Sequence, residues 1–197
     1  MQPIYKANIT SGALLVPESR KIADLLLKKV SADEWKKTIE EENILQKLSV
    51  LSARQISRLI RSRLELMTPE LWIMVRNGDS RLATHAVFAA AIKHSRILGD
   101  YLDLVVREQF RRLEERLTPR MWDEFLRTCK QRDPAMADFS VSTVKKMRRV
   151  VHNILWEVGY IRDTRSWELR EVEIDSAVLS YLEKSNEYYV LKCIKVC

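Results

Sequence analysis

The chain has 197 residues, 46% hydrophobic and 31% charged, which is enough for one large core or two small ones and too apolar for a disordered tail. Four glycines and five prolines are few, which excludes a turn-rich β architecture in favour of helices. A net charge of +7 and a pI of about 9.4 point to an anionic partner, nucleic acid or an acidic membrane surface.

In chain order, Pro17–Val30 is read as a first helix with Ile22, Leu25 and Leu26 as its apolar stripe. Ser31 with Glu34 has capping-box spacing and opens a second helix, with Trp35, Ile39, Ile44 and Leu45 inward. Ser52 with Gln55 repeats the signal, so Ala53–Met67 is expected as a third helix. Its inner face is Ile56, Leu59, Ile60, Leu64 and Met67. Arg54, Arg58 and Arg61 lie opposite, with Glu65, while Arg63 sits nearer the apolar side, where a buried or interfacial ion pair is expected. Thr68-Pro69 starts Pro69–Asn77, ended by Gly78. Asp79 caps an alanine-rich helix over Ser80–Leu98, Gly99 breaks it, and Asp100 caps Tyr101–Arg116 with Leu113 on its inner face. Thr118-Pro119 opens Arg120–Arg132. This cap resembles the one at Thr68, each followed by a tryptophan, and is read as two similar N-caps rather than a duplication. Asp133-Pro134 is expected to start a short turn of helix over Pro134–Asp138.

The segment Phe139–Ile161 is read as one helix with two different faces. Val144, Met147, Val150, Val151, Ile154, Leu155 and Val158 fall within an arc of roughly 140°. Ser142, Lys145, Arg148, Arg149 and His152 fall opposite, with Lys146 at the edge and Trp156 among them. Between Val141 and Leu155 there is no acidic residue. Solvated helix faces usually mix signs, because i,i+4 ion pairs stabilise and single-sign rows repel. A row of cations suits phosphates and, in a major groove, base edges. After Gly159 the alternation weakens. Tyr160–Ile174 is read as a small β-hairpin, or an extended loop, with Arg162 and Arg165 at its tip. Asp175 or Ser176 caps a last helix through Lys184, and Glu187–Val196 reads as a short strand.

The fold class is therefore all-α: a compact multi-helix globule with two helix-turn-helix-like units and a small C-terminal hairpin. The first unit pairs Ser31–Gln46 with Ser52–Met67, and the second pairs Pro134–Asp138 with Ser142–Val158. The division is placed at 1–117 and 118–197. Candidate phosphate-holding residues are Arg54, Arg58, Arg61, Lys145, Arg148 and Arg149. Ser142, Thr143 and Lys146 are candidates for base or sugar contacts, and Arg162 and Arg165 for contacts from the wing.

Catalysis finds no support in the sequence. None of His85, His94 and His152 has metal-ligand spacing with a second His or Cys, and His85 reads as a satisfied core residue. There is no Gly-rich phosphate loop, and Cys193 with Cys197 reads as incidental rather than a zinc site. No catalytic residue, metal or cofactor is assigned. Three cysteines without a CxxC fit a reducing cytoplasm. Met1–Thr10 lacks a signal-peptide core, and no apolar run reaches the about 18 residues of a membrane span.

The run SGALLVPESRKIADLLLKKVSADEWKKTIEEENILQKLSVLSARQISRLIRSRLELM resembles the opening of the BREX phage-defence protein A family. So do LGDYLDLVVR at Leu98–Arg107, the helix with Trp122 and Phe125, and TVKKMRRVVHNILWEVGYI, so that the resemblance spans about Ser11 to Leu182. It implies an all-helical, non-enzymatic component of a bacterial system that excludes phage and methylates host DNA. It also implies double-stranded DNA binding through helix-turn-helix units, alongside other phage-defence subunits. Members have been labelled inner-membrane proteins, a label for which this sequence offers no span. An RNA-binding helical module, or a scaffold docking an acidic protein, remains the alternative to DNA binding.

Overall fold

The structure, a computed structural model, describes residues 3–196. It is all-α, with elements α1 (Val16–Lys28), α2 (Ala32–Lys36), α3 (Val50–Leu64), α4 (Pro69–Asn77), α5 (Ser80–His94), α6 (Arg96–Tyr101), α7 (Arg107–Arg111), α8 (Pro119–Arg132), α9 (Val141–Val158), α10 (Ser176–Lys184) and α11 (Tyr188–Ile194). A 3-10 turn at Asn8–Ser11 precedes them. Single π-turns at Lys37–Glu41 and Leu102–Val106 extend α2 and join α6 to α7. Among the described residues no helix is long and apolar enough to cross a membrane.

The organising element is α5. Ala83 and every residue from His85 to Ile92 is buried, so the helix has no solvated face over two turns, as expected of a helix apolar all round. Its alanines let neighbours approach closely: α1, α3, α4, α6, α9, α10 and α11 all pack against it. One continuous apolar core runs from Tyr5 through Phe88, Tyr101 and Trp122 to Val196.

Most caps fall where the sequence puts them. Ser31 accepts from the Glu34 N–H, Asp79 from Leu82, Thr118 from Met121 and Asp175 from Ala177. Helix α3 starts earlier than expected, at Val50, because Ser49 rather than Ser52 is the cap and accepts from the Ser52 N–H at 3.2 Å. The break expected at Gly99 lies at Ser95, whose backbone is extended. Gly99 stays helical, and its missing side chain makes room for the Tyr189 hydroxyl. Asp100 caps nothing. Its buried carboxylate accepts from the Tyr5 hydroxyl (2.7 Å) and the Tyr189 hydroxyl (2.8 Å) and pairs with Arg96 at 3.0 Å, tying both ends of the chain to its middle.

Three further expectations are corrected. The helix expected to reach Arg116 stops at Arg111, and Leu113 is 89% exposed with a left-handed backbone. Residues 115–117 then run extended beside 167–169, where Leu117 N–H donates to Trp167 O and Leu169 N–H to Glu115 O. The strand expected over Glu187–Val196 is helix α11, which buries Val190, Cys193 and Ile194 at i, i+3 and i+4. Seven residues are too few to separate the two periods by eye. Pro134–Asp138 forms only a turn, closed by Met136 N–H to Asp133 O, because the Asp133 carboxylate is drawn to the Ile4 and Tyr5 N–H groups. Cys197 lies outside the described residues.

The three histidines are structural. His85 Nδ1 accepts the Asp175 N–H at 3.0 Å. His94 Nε2 lies 3.2 Å from the Ser62 hydroxyl. His152 Nε2 lies 3.3 Å from the Tyr101 hydroxyl, with its ring 4.2 Å from that of Trp167. Burial first, and nearby arginines second, push all three pKa values down, to about 4 for His94 and His152.

Two outcomes follow. Enlarging Ala90, fully buried in α5, by Ala90→Leu overpacks the centre and lowers stability by about 1–3 kcal/mol, read by denaturant unfolding. The histidines are neutral when folded and take protons when unfolded. Their contribution is thus complete above pH 6.5 and is lost as pH falls through the window from 6.5 to about 4. Melting temperature should drop across that window, and drop less in His152→Gln.

Candidate nucleic-acid interface

Helix α9 is set by its two ends. Ser140 caps it, accepting from the Thr143 N–H at 3.2 Å, and Gly159 at φ 103° closes it in the left-handed conformation that glycine adopts without strain. Met147, Val150, Val151, Ile154, Leu155 and Val158 are buried, as the wheel predicts. The buried arc is wider than predicted, however. His152, expected in the solvent row, is buried because Trp167 folds back over it. Arg148 is half-buried, its guanidinium 5.9 Å from the Trp167 ring centre. What remains exposed is Val141, Ser142, Lys145, Lys146, Arg149, Trp156 and, at the C-terminal end, Glu157, with half-buried Asn153 between Arg149 and Trp156.

The eleven predicted residues divide by what holds them. Arg54 is paired with Glu40 at 2.5 Å, and this hydrogen bond holds the Glu40 carboxyl below the ordinary range. Arg61 is paired with Glu65 at 2.7 Å and lies 4.6 Å above the Trp35 ring. Arg162 is paired with Glu168 at 3.4 Å. The hydroxyls of Ser142 and Thr143 lie 3.0 and 2.9 Å from that of Ser140, within the cap. Arg58, Lys145, Lys146, Arg149 and Arg165 have no acidic partner among the described residues. Arg107, Arg112, Arg120 and Lys192, by contrast, are each paired with an acid.

Arg63 belongs to the core. Its guanidinium donates to Gly12 O (2.9 Å) and Ala13 O (2.6 Å), and burial pushes its pKa down to about 10. The next N–H, that of Leu14, donates to Glu157 Oε2 at 2.8 Å. The N-terminal segment thus links the end of α3 to the end of α9. The expected ion pair is replaced by carbonyl contacts, with Glu157 attracting Arg63 only at longer range.

The expected wing is a short capped loop rather than a hairpin. One antiparallel bridge, Ile161 with Leu169, closes it, and a second joins Arg116 to Glu168. Asp163 accepts from the Arg165 N–H, the Ser166 N–H and the Ser166 hydroxyl at 2.7–2.8 Å. Trp167 has a left-handed backbone, which stops strand pairing and turns its indole onto His152. The paired-helix geometry is also looser than expected. The connection from α2 and its π-turn to α3 takes residues 42–49, against the three or four of a DNA-binding helix-turn-helix. The segment before α9 is not helical, so the second expected unit does not form.

Asn153 and Trp156 are not among the site residues expected from the sequence. They lie four and seven positions after Arg149 on the same face, and that spacing is visible in the sequence. Among the described residues no group of three or more His, Cys, Asp or Glu side chains is placed to hold a metal.

Comparison with known proteins gives one consistent result. The family model for BrxA matches residues 3–186. A BREX protein BrxA from Paramagnetospirillum magneticum is 52% identical over 195 residues, covering 99% of this chain and 98% of the relative. A BREX protein BrxA from Escherichia coli is 28% identical over 188 residues, covering 95% and 88% respectively. A crystal structure of an uncharacterized protein from Magnetospirillum magneticum superposes with a TM-score of 0.93 at 51% identity, covering 99% of this chain and all of that one. Matched along nearly its whole length, this chain belongs to the BrxA family of BREX phage-defence proteins.

Proposed function

We propose that this BREX component is a non-enzymatic, cytoplasmic protein that grips double-stranded DNA by its phosphates, chiefly through the exposed face of α9. The observation that carries this reading is the unpaired row Lys145, Lys146 and Arg149, held on a rigid 18-residue helix and free of neighbouring acids. Paired surface cations have already given up part of their attraction for a phosphate, whereas unpaired ones release counterions on binding and gain the full effect. Arg165 adds a cation beyond the C-terminal half of α9, and Arg58 adds one on α3. Arg54, Arg61 and Arg162 become secondary, since each must leave an acid to reach a phosphate.

A non-enzymatic role is supported by the histidines, each committed to a neighbour inside the fold. Phosphate gripping rather than base reading is supported by the residue types. Lys145 and Lys146 are point charges, and the Ser142 and Thr143 hydroxyls are tied to the cap. Other BREX subunits would then meet this protein on DNA.

Binding to a blunt duplex, followed by anisotropy at rising salt, tests the reading. Four phosphate contacts from Lys145, Lys146, Arg149 and Arg165 give a log–log slope of about −3.6. Lys145→Ala with Arg149→Ala should flatten the slope by about 1.8. A slope near zero in the unmodified protein sinks the reading, and tighter binding to structured RNA would move it to an RNA-binding module. As a separate outcome, Arg61→Ala should leave the slope nearly unchanged, because Glu65 already holds that guanidinium.

A further inference from the structure

The exposed face of α9 does not end at its last cation. Past Arg149 it opens into a cleft of about 560 Å³ between α9 and the loop 162–166, within the range of about 300–1,000 Å³ typical of small-ligand sites. Trp156 forms one wall. It is 52% exposed, and its indole stacks on no other ring among the described residues. The Asn153 carboxamide also lines the cleft and has no hydrogen-bond partner among the described residues.

Two carboxylates border the same space, and both accept hydrogen bonds from the protein. Asp163 accepts from the Arg165 and Ser166 N–H groups and the Ser166 hydroxyl. Glu157 takes the Leu14 N–H. The loop is further fixed by the Trp167 indole N–H, which donates to Thr164 O at 2.8 Å. Beside the Thr164 hydroxyl and the second oxygen of Glu157, the cleft presents three groups suited to a nucleotide: a flat aromatic face, an amide able both to donate and to accept, and the Arg165 guanidinium.

Phosphate gripping alone has no use for an exposed indole. A base lifted out of a strand does, since every base has a π face and an edge that an amide can bond. Arg149 and Trp156 are seven residues apart, about 10 Å along the helix axis, or about three nucleotide steps of a stacked strand. A backbone held on the cation row would thus bring a nearby nucleotide to the cleft.

We propose that this cleft binds one unpaired nucleobase of a DNA strand, with Trp156 stacking on the base, Asn153 bonding its edge and Arg165 holding its phosphate. The proposal rests on the reading of α9 as the phosphate-gripping helix, and it narrows the target from any duplex to one with an unpaired base. Three DNA duplexes separate the cases, used with the full chain: a blunt duplex, the same duplex with one bulged adenine, and the same with an abasic residue at the bulge. The bulged adenine should bind at least about tenfold tighter than either of the others. Trp156→Ala and Asn153→Ala should remove that preference while keeping the blunt-duplex affinity, and Trp156→Phe, which retains a ring, should preserve much of it. Thermal melting of each variant checks folding at these exposed and half-buried positions. Equal affinity for all three duplexes overturns the proposal and leaves the phosphate reading standing if the salt slope is steep. A salt slope near zero on every duplex overturns the phosphate reading and the proposal with it. A preference for the bulge that survives Trp156→Ala also overturns it, because the bend of the duplex would then be what is recognised.

Discussion

The fold depends on a helix with no outside. From His85 to Ile92, α5 is buried on every side, so its position fixes seven other helices at once. Small side chains make this possible. Alanines at 86, 89, 90 and 91 let neighbouring backbones come close, while Phe88 and Ile92 fill the remaining space. A core packed this tightly tolerates little change in volume, and it gives the surface helices a stiff support. Helix α9 is one of those resting on it.

Two polar ties complete the frame. Asp100 gathers Tyr5, Tyr189 and Arg96. Arg63 holds the carbonyls of Gly12 and Ala13, and Glu157 takes the adjoining Leu14 N–H. Each joins segments far apart in sequence, and each buries charge that needs most of its hydrogen bonds satisfied. The second tie bears on function, because it anchors the C-terminal end of α9 beside the cleft. It also fixes the position of Glu157, whose carboxylate borders the cleft.

Charge on the surface is sorted by pairing. Arg54 and Arg61 of α3 and Arg162 of the 162–166 loop face glutamates across short gaps, so part of the basic sequence there becomes ion pairs, while Arg58 and Arg165 stay without an acidic partner among the described residues. Exposed pairs of this kind contribute little stability, typically 0–1 kcal/mol, but they do reduce what is left for a ligand. In α9 no acid comes within reach of Lys145, Lys146 or Arg149. On this helix the absence of acids from Val141 to Leu155 in the sequence goes with the absence, among the described residues, of an acidic partner for its three exposed cations.

The sequence alone determined the helical class, the capped starts at Ser31, Asp79 and Thr118, and the apolar stripe of α9, because these are local effects of period and hydrogen bonding. It could not show that α11 is a helix, since seven residues are too few for the period to speak. Nor could it place the break at Ser95 or keep Gly99 helical, because Tyr189 arrives from ninety residues away. The basic residues of α3 and α9 look alike in sequence. Only the tertiary structure sets Glu40 against Arg54 and folds Trp167 over His152, narrowing the exposed face to Lys145, Lys146, Arg149 and Trp156. The physical reason is that periodicity fixes which residues share a side of a helix, whereas what covers that side, or leaves it open, is decided by segments distant in the chain.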